Sequence, residues 1–97
     1  MQRAIRHYAS PSFWECYNKL PEGIRRIADK NFTLLKDSPS HSSLRLKKVG
    51  NYWSVRIGRK YRAIGIKSEK GVVWFWIGKH SEYERIVGRP DKSEHIS

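Results

Sequence analysis

The chain has 97 residues, with 20 Lys and Arg against 9 Asp and Glu, for a formal net charge of +11. That length suits one domain with a small core, and 38% hydrophobic content with 12% aromatics excludes a wholly disordered chain. The charge calls for a polyanionic partner, nucleic acid before anionic membrane, because such a field attracts polyanions and speeds encounter with them.

No apolar run approaches the roughly 20 residues of a membrane span; the longest, Val72 to Ile77, has strand length. Arg3, Arg6 and His7 interrupt the N-terminus, so no secretory leader is expected. The single cysteine, Cys16, allows neither an internal disulfide nor a cysteine metal cluster. A cytoplasmic protein without a membrane partner is expected.

Taken in order, Arg3 to Tyr8 predicts a first strand. Ser10-Pro11 then gives a helix start, Ser as N-cap and Pro at the first helical position. Phe13, Tyr17 and Leu20 recur at helical spacing, which predicts a short amphipathic helix. Pro21 opens a second, with Ile24, Ile27, Ala28, Asn31, Leu34 and Leu35 on one stripe and Arg25, Arg26, Asp29, Lys30 and Lys36 opposite. Asp37-Ser38-Pro39 stops it. This helical hairpin is too short to bury its own stripes and needs a sheet.

After the polar loop 38–43, the stretch from Leu44 to Val87 reads as three or four short β-type runs. Val49-Gly50-Asn51, Gly58-Arg59-Lys60 and Ser68-Glu69-Lys70-Gly71 separate them, which predicts an antiparallel meander. Trp53, Val55 and Ile57 alternate with Tyr52, Ser54 and Arg56. Arg62, Ile64 and Ile66 alternate with Tyr61, Ala63 and Gly65. Val73, Phe75 and Ile77 alternate with Val72, Trp74 and Trp76, an apolar run on both sides that indicates an interior strand. One aliphatic face, with Val55, Ile57, Ile64 and Ile66 beneath Ile24, Ile27, Leu34 and Leu35, is expected under the helices. The other face is aromatic and basic. Arg62 breaks this scheme, and either a bulge near Lys60-Tyr61 or a place at the rim would turn it round. Ser81 to Val87 reads as a helical turn or a final strand. The expected organisation is a single domain over 1–88, α+β, a small twisted antiparallel sheet with an N-terminal two-helix hairpin on one face. A polar tail over 89–97 is expected to fray.

No phosphate-binding glycine loop is present; Gly58-Arg59-Lys60 is a hairpin turn. His7, His41, His80 and His95 have no carboxylate or Cys partner at ligand spacing, so neither metal nor cofactor is expected. Cys16 reads as packing. Between Leu44 and Lys67 the chain carries Arg45, Lys47, Lys48, Arg56, Arg59, Lys60, Arg62 and Lys67 with no acidic residue. Beyond the meander come Lys79, His80 and Tyr83. These residue types suffice for metal-free RNA cleavage. The 2′-hydroxyl attacks its own phosphorus, cations stabilise the phosphorane, and a histidine moves a proton. They equally suit a binding surface, with His80 a surface residue, Trp74 and Trp76 core, and Tyr83 a cap on the sheet. On residues alone, a nucleic-acid-binding domain and a nuclease both stand.

The order strand, helical hairpin, meander resembles the RelE/ParE superfamily of bacterial type II toxins. The stretches that carry the resemblance are YWSVRIGRKYRAIGI (Tyr52 to Ile66) and WFWIGKHSEYERI (Trp74 to Ile86), and it extends over most of residues 3–87. The RelE branch implies a ribosome-dependent mRNA endonuclease activity, with mRNA and the ribosome as partners and a cognate acidic antitoxin as inhibitor. It implies His80, Arg62, Arg56 and Tyr83 as catalytic residues. Lys47, Lys48, Arg45, Arg59, Lys60 and Lys79 would grip RNA. No Glu stands in the sheet as a general base between Leu44 and Lys67. The ParE branch implies a DNA gyrase inhibitor instead, and a non-catalytic RNA-binding or degenerate toxin is the third alternative. His80 favours the RelE branch.

Overall fold

A computed structural model of the protein describes residues 5–88. Strand β1 (Arg6–Ala9) leads directly into helix α1 (Pro11–Asn18). The Ser10 side chain accepts the Phe13 backbone N–H, and Pro11 sits where a missing N–H costs nothing. Lys19, Leu20 and Pro21 separate α1 from α2 (Glu22–Asp37). On α2, Ala28, Asn31 and Leu35 are buried, at the three- and four-residue spacing that puts side chains on one helix face. A 3-10 turn (Ser42–Leu44) then leads to β2 (Lys47–Val49), β3 (Tyr52–Ile57), β4 (Tyr61–Ser68) and β5 (Gly71–Lys79), and α3 (His80–Val87) follows at once. The last segment is thus a helix. The expected tail over 89–97, and the expected strand start at Arg3, lie outside the described residues.

The five strands form one sheet in the order β1-β5-β4-β3-β2. β2 to β5 are the expected antiparallel meander. β1 joins the outer edge of β5 in parallel, Arg6 beside Gly71 and Ala9 beside Trp74, so the whole sheet is mixed. No tight turn connects β1 to its neighbour, so nothing holds that pair to the antiparallel sense. β4 is the middle strand and β5 is interior, as its two-sided apolar character requires.

The helical hairpin lies on the face carrying Val55, Ile57 and Ala63, all buried in one cluster with Phe13, Leu35 and Trp74. Phe32 stands edge-on to both Phe13 and Trp74, with ring centroids 5.5 Å apart in each pair, a favoured aromatic geometry. Asn31, the one polar residue on the α2 stripe, donates to the Arg56 carbonyl at 2.8 Å. Leu35 is fully buried while Leu34 and Ile24 are half-buried and Ile27 is 36% exposed.

Two of the expected face assignments are corrected. Ile64 and Ile66 pair with Ser54 and Tyr52 across the β3–β4 ladder, so they point away from the helices. Arg62 shares their face without any bulge at Lys60-Tyr61. The helix side of β4 carries the small Ala63 and Gly65 instead. A Cβ at Gly65 would come within 2.7 Å of Val72 and 2.9 Å of the Trp74 ring, so the glycine makes room for that ring.

The second correction concerns β5. Its register with β4 slips between Ile64 and Gly65: Ile64 pairs with Trp76 and Gly65 with Trp74, leaving Phe75 without a partner. This bulge breaks the alternation. Ile77, Trp74 and Val72 share the helix face, and Trp76 and Val73 the other. The Trp74 carbonyl accepts from the Ser10 N–H at 3.0 Å, and the Phe75 carbonyl accepts from Ser12 Oγ at 2.9 Å.

Truncating Leu35 to Ala should cost about 2–5 kcal/mol, the range for a buried leucine, whereas Ile66→Ala, 43% exposed on the far face, should cost well under that in the same urea titration. Equal losses would contradict the assigned faces. Stability should also depend on His7, whose Nδ1 accepts the Trp74 indole N–H at 3.1 Å. Burial, then Lys36, lowers its pKa below the ordinary value. The unfolded chain therefore binds the proton more readily. The His7 contribution should be complete above the unfolded value of about 6.5 and decline as pH falls below it. The midpoint of thermal unfolding should fall more between pH 7.5 and 5.5 in the wild type than in His7→Gln.

Candidate functional site

The β3–β4 ladder sets Arg56 directly opposite Arg62 on the face away from the hairpin. Like charges directly opposite one another destabilise a sheet. Arg62 is only 7% exposed. Its Nε donates to Ser54 Oγ at 2.9 Å, and its Nη2 approaches the Arg45 carbonyl at 3.4 Å. Arg45 presents that carbonyl from a left-handed backbone, φ 47°, which is uncommon without a local reason. The Tyr83 ring covers the guanidinium, with Cζ 5.1 Å from the ring centroid, a cation–π contact. Burial lowers the Arg62 pKa from its ordinary value, Tyr83 opposes this, and Arg56 and Arg45 lower it further. The group remains a cation, as arginine does in proteins. No carboxylate stands within ion-pair distance of it among the described residues. Among the described residues the site is therefore a buried positive charge held by neutral groups and short of an anion.

Tyr83 connects this cation to His80. It is buried, at 5% exposure, and its ring centroid lies 5.4 Å from that of His80. The His80 side chain is 47% exposed, with Nδ1 3.7 Å from Glu84 Oε2, too long for a hydrogen bond but within ion-pair range. Its position is fixed by the backbone: the His80 N–H donates to the Lys60 carbonyl at 2.8 Å, tying the start of α3 to the β3–β4 turn. Because α3 begins one residue after β5 ends, His80 and Tyr83 fall three apart on one helix face.

The expected RNA-gripping residues divide into three groups. Arg59, Lys60, Lys79 and His80 line one depression of about 510 Å³. Lys47 pairs with Ser54 and shares the Arg62 face, with Arg45 near by through its carbonyl. Lys48 pairs with Trp53 and so takes the opposite face of β2. Arg56 donates from Nε to the Gly58 carbonyl at 2.8 Å, which holds its guanidinium near the hairpin turn. Two contributors escape a reading by residue type. Ser54 is a single small polar residue in an apolar strand, and its phase with Arg56 is the signal that could have found it. Glu84 stands four residues beyond His80, the spacing of a helical side-chain pair.

The family model of the ParE-like toxin domain matches residues 24–85, a span that holds all of these side chains. The chain belongs to the ParE-like toxin family, within the RelE/ParE superfamily. This ParE-like toxin is also similar to solved structures. The toxin of the RelB–RelE antitoxin–toxin complex from Methanococcus jannaschii is 17% identical, with a TM-score of 0.65 over 81% of this chain and 96% of that one. A doubly arginine-substituted mutant of the E. coli toxin RelE in the free state gives 18% identity and a TM-score of 0.60, over 94% and 98%. RelE in the intact E. coli RelBE complex gives 16% and 0.57, over 78% and 96%. At these identities the likeness is one of fold. No curated protein matches the sequence.

If Arg62 is held for an anion rather than for stability, removing its charge should help the fold. Arg62→Met should leave the unfolding midpoint unchanged or raise it, since replacing buried charge by an apolar group of similar volume is often neutral or stabilising. Ser54→Ala, which strands the Arg62 Nε, should cost about 1–3 kcal/mol. A strongly destabilised Arg62→Met would make the cation a structural element.

Proposed function

We propose that this ParE-like toxin is an mRNA endonuclease that cleaves on the ribosome, by attack of the substrate's own 2′-hydroxyl. The observation that carries the proposal is the buried Arg62 guanidinium, without a carboxylate partner among the described residues, beside Arg56 and joined through Tyr83 to a half-exposed His80. A phosphodiester supplies the missing anion, and arginine binds phosphate oxygens in bidentate fashion. The 2′-oxygen gives up its proton to solvent water and forms a bond to phosphorus, and the bond to the 5′-oxygen breaks. The products are a 2′,3′-cyclic phosphate and a 5′-hydroxyl. Arg62 and Arg56 hold the phosphoryl oxygens as their charge grows. His80 gives its proton to the departing 5′-oxygen. Tyr83 keeps the guanidinium and the imidazole at one place. No metal takes part in this scheme.

Two features support the setting. Arg59, Lys60 and Lys79 extend the positive surface from His80 along a backbone path, as phosphate contacts that position rather than specify. The related RelE structures include antitoxin–toxin complexes, and a net charge of +11 suits an acidic antitoxin that masks the basic face.

The test is cleavage of mRNA on translating ribosomes in the presence of chelator. Arg62→Ala should lower the rate about a hundred- to a thousandfold, the usual loss for one such donor, and His80→Ala should lower it severely with the fold intact. A 2′-deoxynucleotide at the cleaved position should block the reaction, and the upstream product should end in a cyclic phosphate. Full activity in a folded His80→Ala protein would return His80 to the surface-residue role. Growth arrest with DNA breaks and intact mRNA would replace the scheme with gyrase inhibition.

A further inference from the structure

We infer that Tyr52 and Phe75 form a nucleobase-stacking platform at the far end of the Arg62 face, receiving an unpaired base of the strand whose phosphate the two arginines hold. The inference rests on the proposed RNA substrate and adds to it a subsite remote from the reacting phosphate. Tyr52 pairs with Ile66 and Arg56 with Arg62 on one face of the β3–β4 ladder. Four residues of strand separate the pairs, about 14 Å, which a short stretch of extended single strand spans. The Tyr52 and Phe75 ring centroids are 6.0 Å apart at 54°. Both residues are half-buried, and Ile66 beside them is 43% exposed.

Nothing in the described fold covers this area. The hairpin occupies the other face, and α3 meets this one at Arg62 through Tyr83. Phe75 is there because of the β5 bulge, whose carbonyl Ser12 Oγ holds. Bulges commonly re-aim a side chain beside an active site. Trp76 extends the apolar floor toward the arginines: its ring lies over Gly78, the residue paired with Arg62, where a Cβ would come within 2.5 Å. Lys47 and Val49 of β2 share the face, beside Ser54 and Tyr52, so a cation flanks the rings. Aromatic rings alternating with cations on an open sheet face match single-stranded RNA, whose bases splay out and stack on such rings. A protein partner's apolar segment would not need the neighbouring Arg56 and Arg62, which have no ion pair among the described residues.

The experiment uses the full chain and a short single-stranded RNA made uncleavable by 2′-deoxy substitution, followed by fluorescence anisotropy. Tyr52→Leu and Phe75→Leu should each weaken binding about tenfold, while Tyr52→Phe and Phe75→Trp retain it. An abasic nucleotide at one position should weaken wild-type binding similarly and leave the Leu variants unchanged. If the Leu variants fail to fold, ultraviolet crosslinking of 4-thiouridine-containing RNA to the wild type should map to Tyr52 or Phe75. Unchanged affinity in folded Leu variants, crosslinks elsewhere, or loss of binding to an acidic antitoxin with RNA binding intact would overturn the platform. Because the readout is binding to uncleavable RNA, loss of the cleavage scheme leaves this test standing. Cleavage in a Leu variant with wild-type KM and base preference would remove the platform alone.

Discussion

The break in the β4–β5 ladder at Phe75 is the constraint on which both faces of the sheet depend. Without it, strict alternation would put Trp74 and Ile77 on opposite sides, and the hairpin would lose one of them from its floor. With it, β5 supplies Trp74 and Ile77 to the core and Trp76 and Phe75 to the other face. The device is held by the first helix. The same Ser10 that caps α1 bonds the Trp74 carbonyl through its N–H, and Ser12 in the first turn bonds the Phe75 carbonyl. Helix start, strand bulge and face assignment are one hydrogen-bonded unit.

The far face shows a different economy. A guanidinium 7% exposed with no carboxylate beside it among the described residues loses hydration that one serine, one carbonyl and one ring replace only in part. Proteins keep such arrangements where a ligand completes them, and the fold is stabilised elsewhere, here by the aromatic core on the hairpin side. Tyr83 is central to that arrangement. It shields Arg62 from water and touches His80, so a single buried ring couples the cation to the imidazole.

Much of this was legible in the sequence. The Ser10-Pro11 start, the turns at Gly50-Asn51 and Gly58-Arg59-Lys60, and the basic bias of the meander follow from local chemistry, and the strands fall where those signals put them. The side-chain types at the site were also legible. The errors have one physical source: the alternation of a strand is visible in a sequence, but its phase against neighbouring strands is not. Ile64 and Ile66 look like core by type and point away from it by register. Ala63 and Gly65 look unimportant, yet Ala63 is fully buried and Gly65 lies under the largest ring in the core. Ser54 matters through a partner eight residues away on the adjacent strand, and the Phe75 bulge through hydroxyl and amide groups of another helix. Such contacts are set by tertiary packing, which local propensity does not encode.

The parallel pairing of β1 with β5 carries a consequence for the order of assembly. Arg6 finds its partner at Gly71, so the earliest strand stays unpaired while the helices and three strands of the meander are made. Closing so long a loop is slow relative to the local β3–β4 hairpin. The bulge that Ser12 secures, and the helix that brings His80 and Tyr83 onto Arg62, come with or after that closure. During synthesis, where segments emerge in chain order, the arginine pair exists before the groups that complete it. A protein built in this order has no finished site while its late strand is still inside the ribosome that makes it.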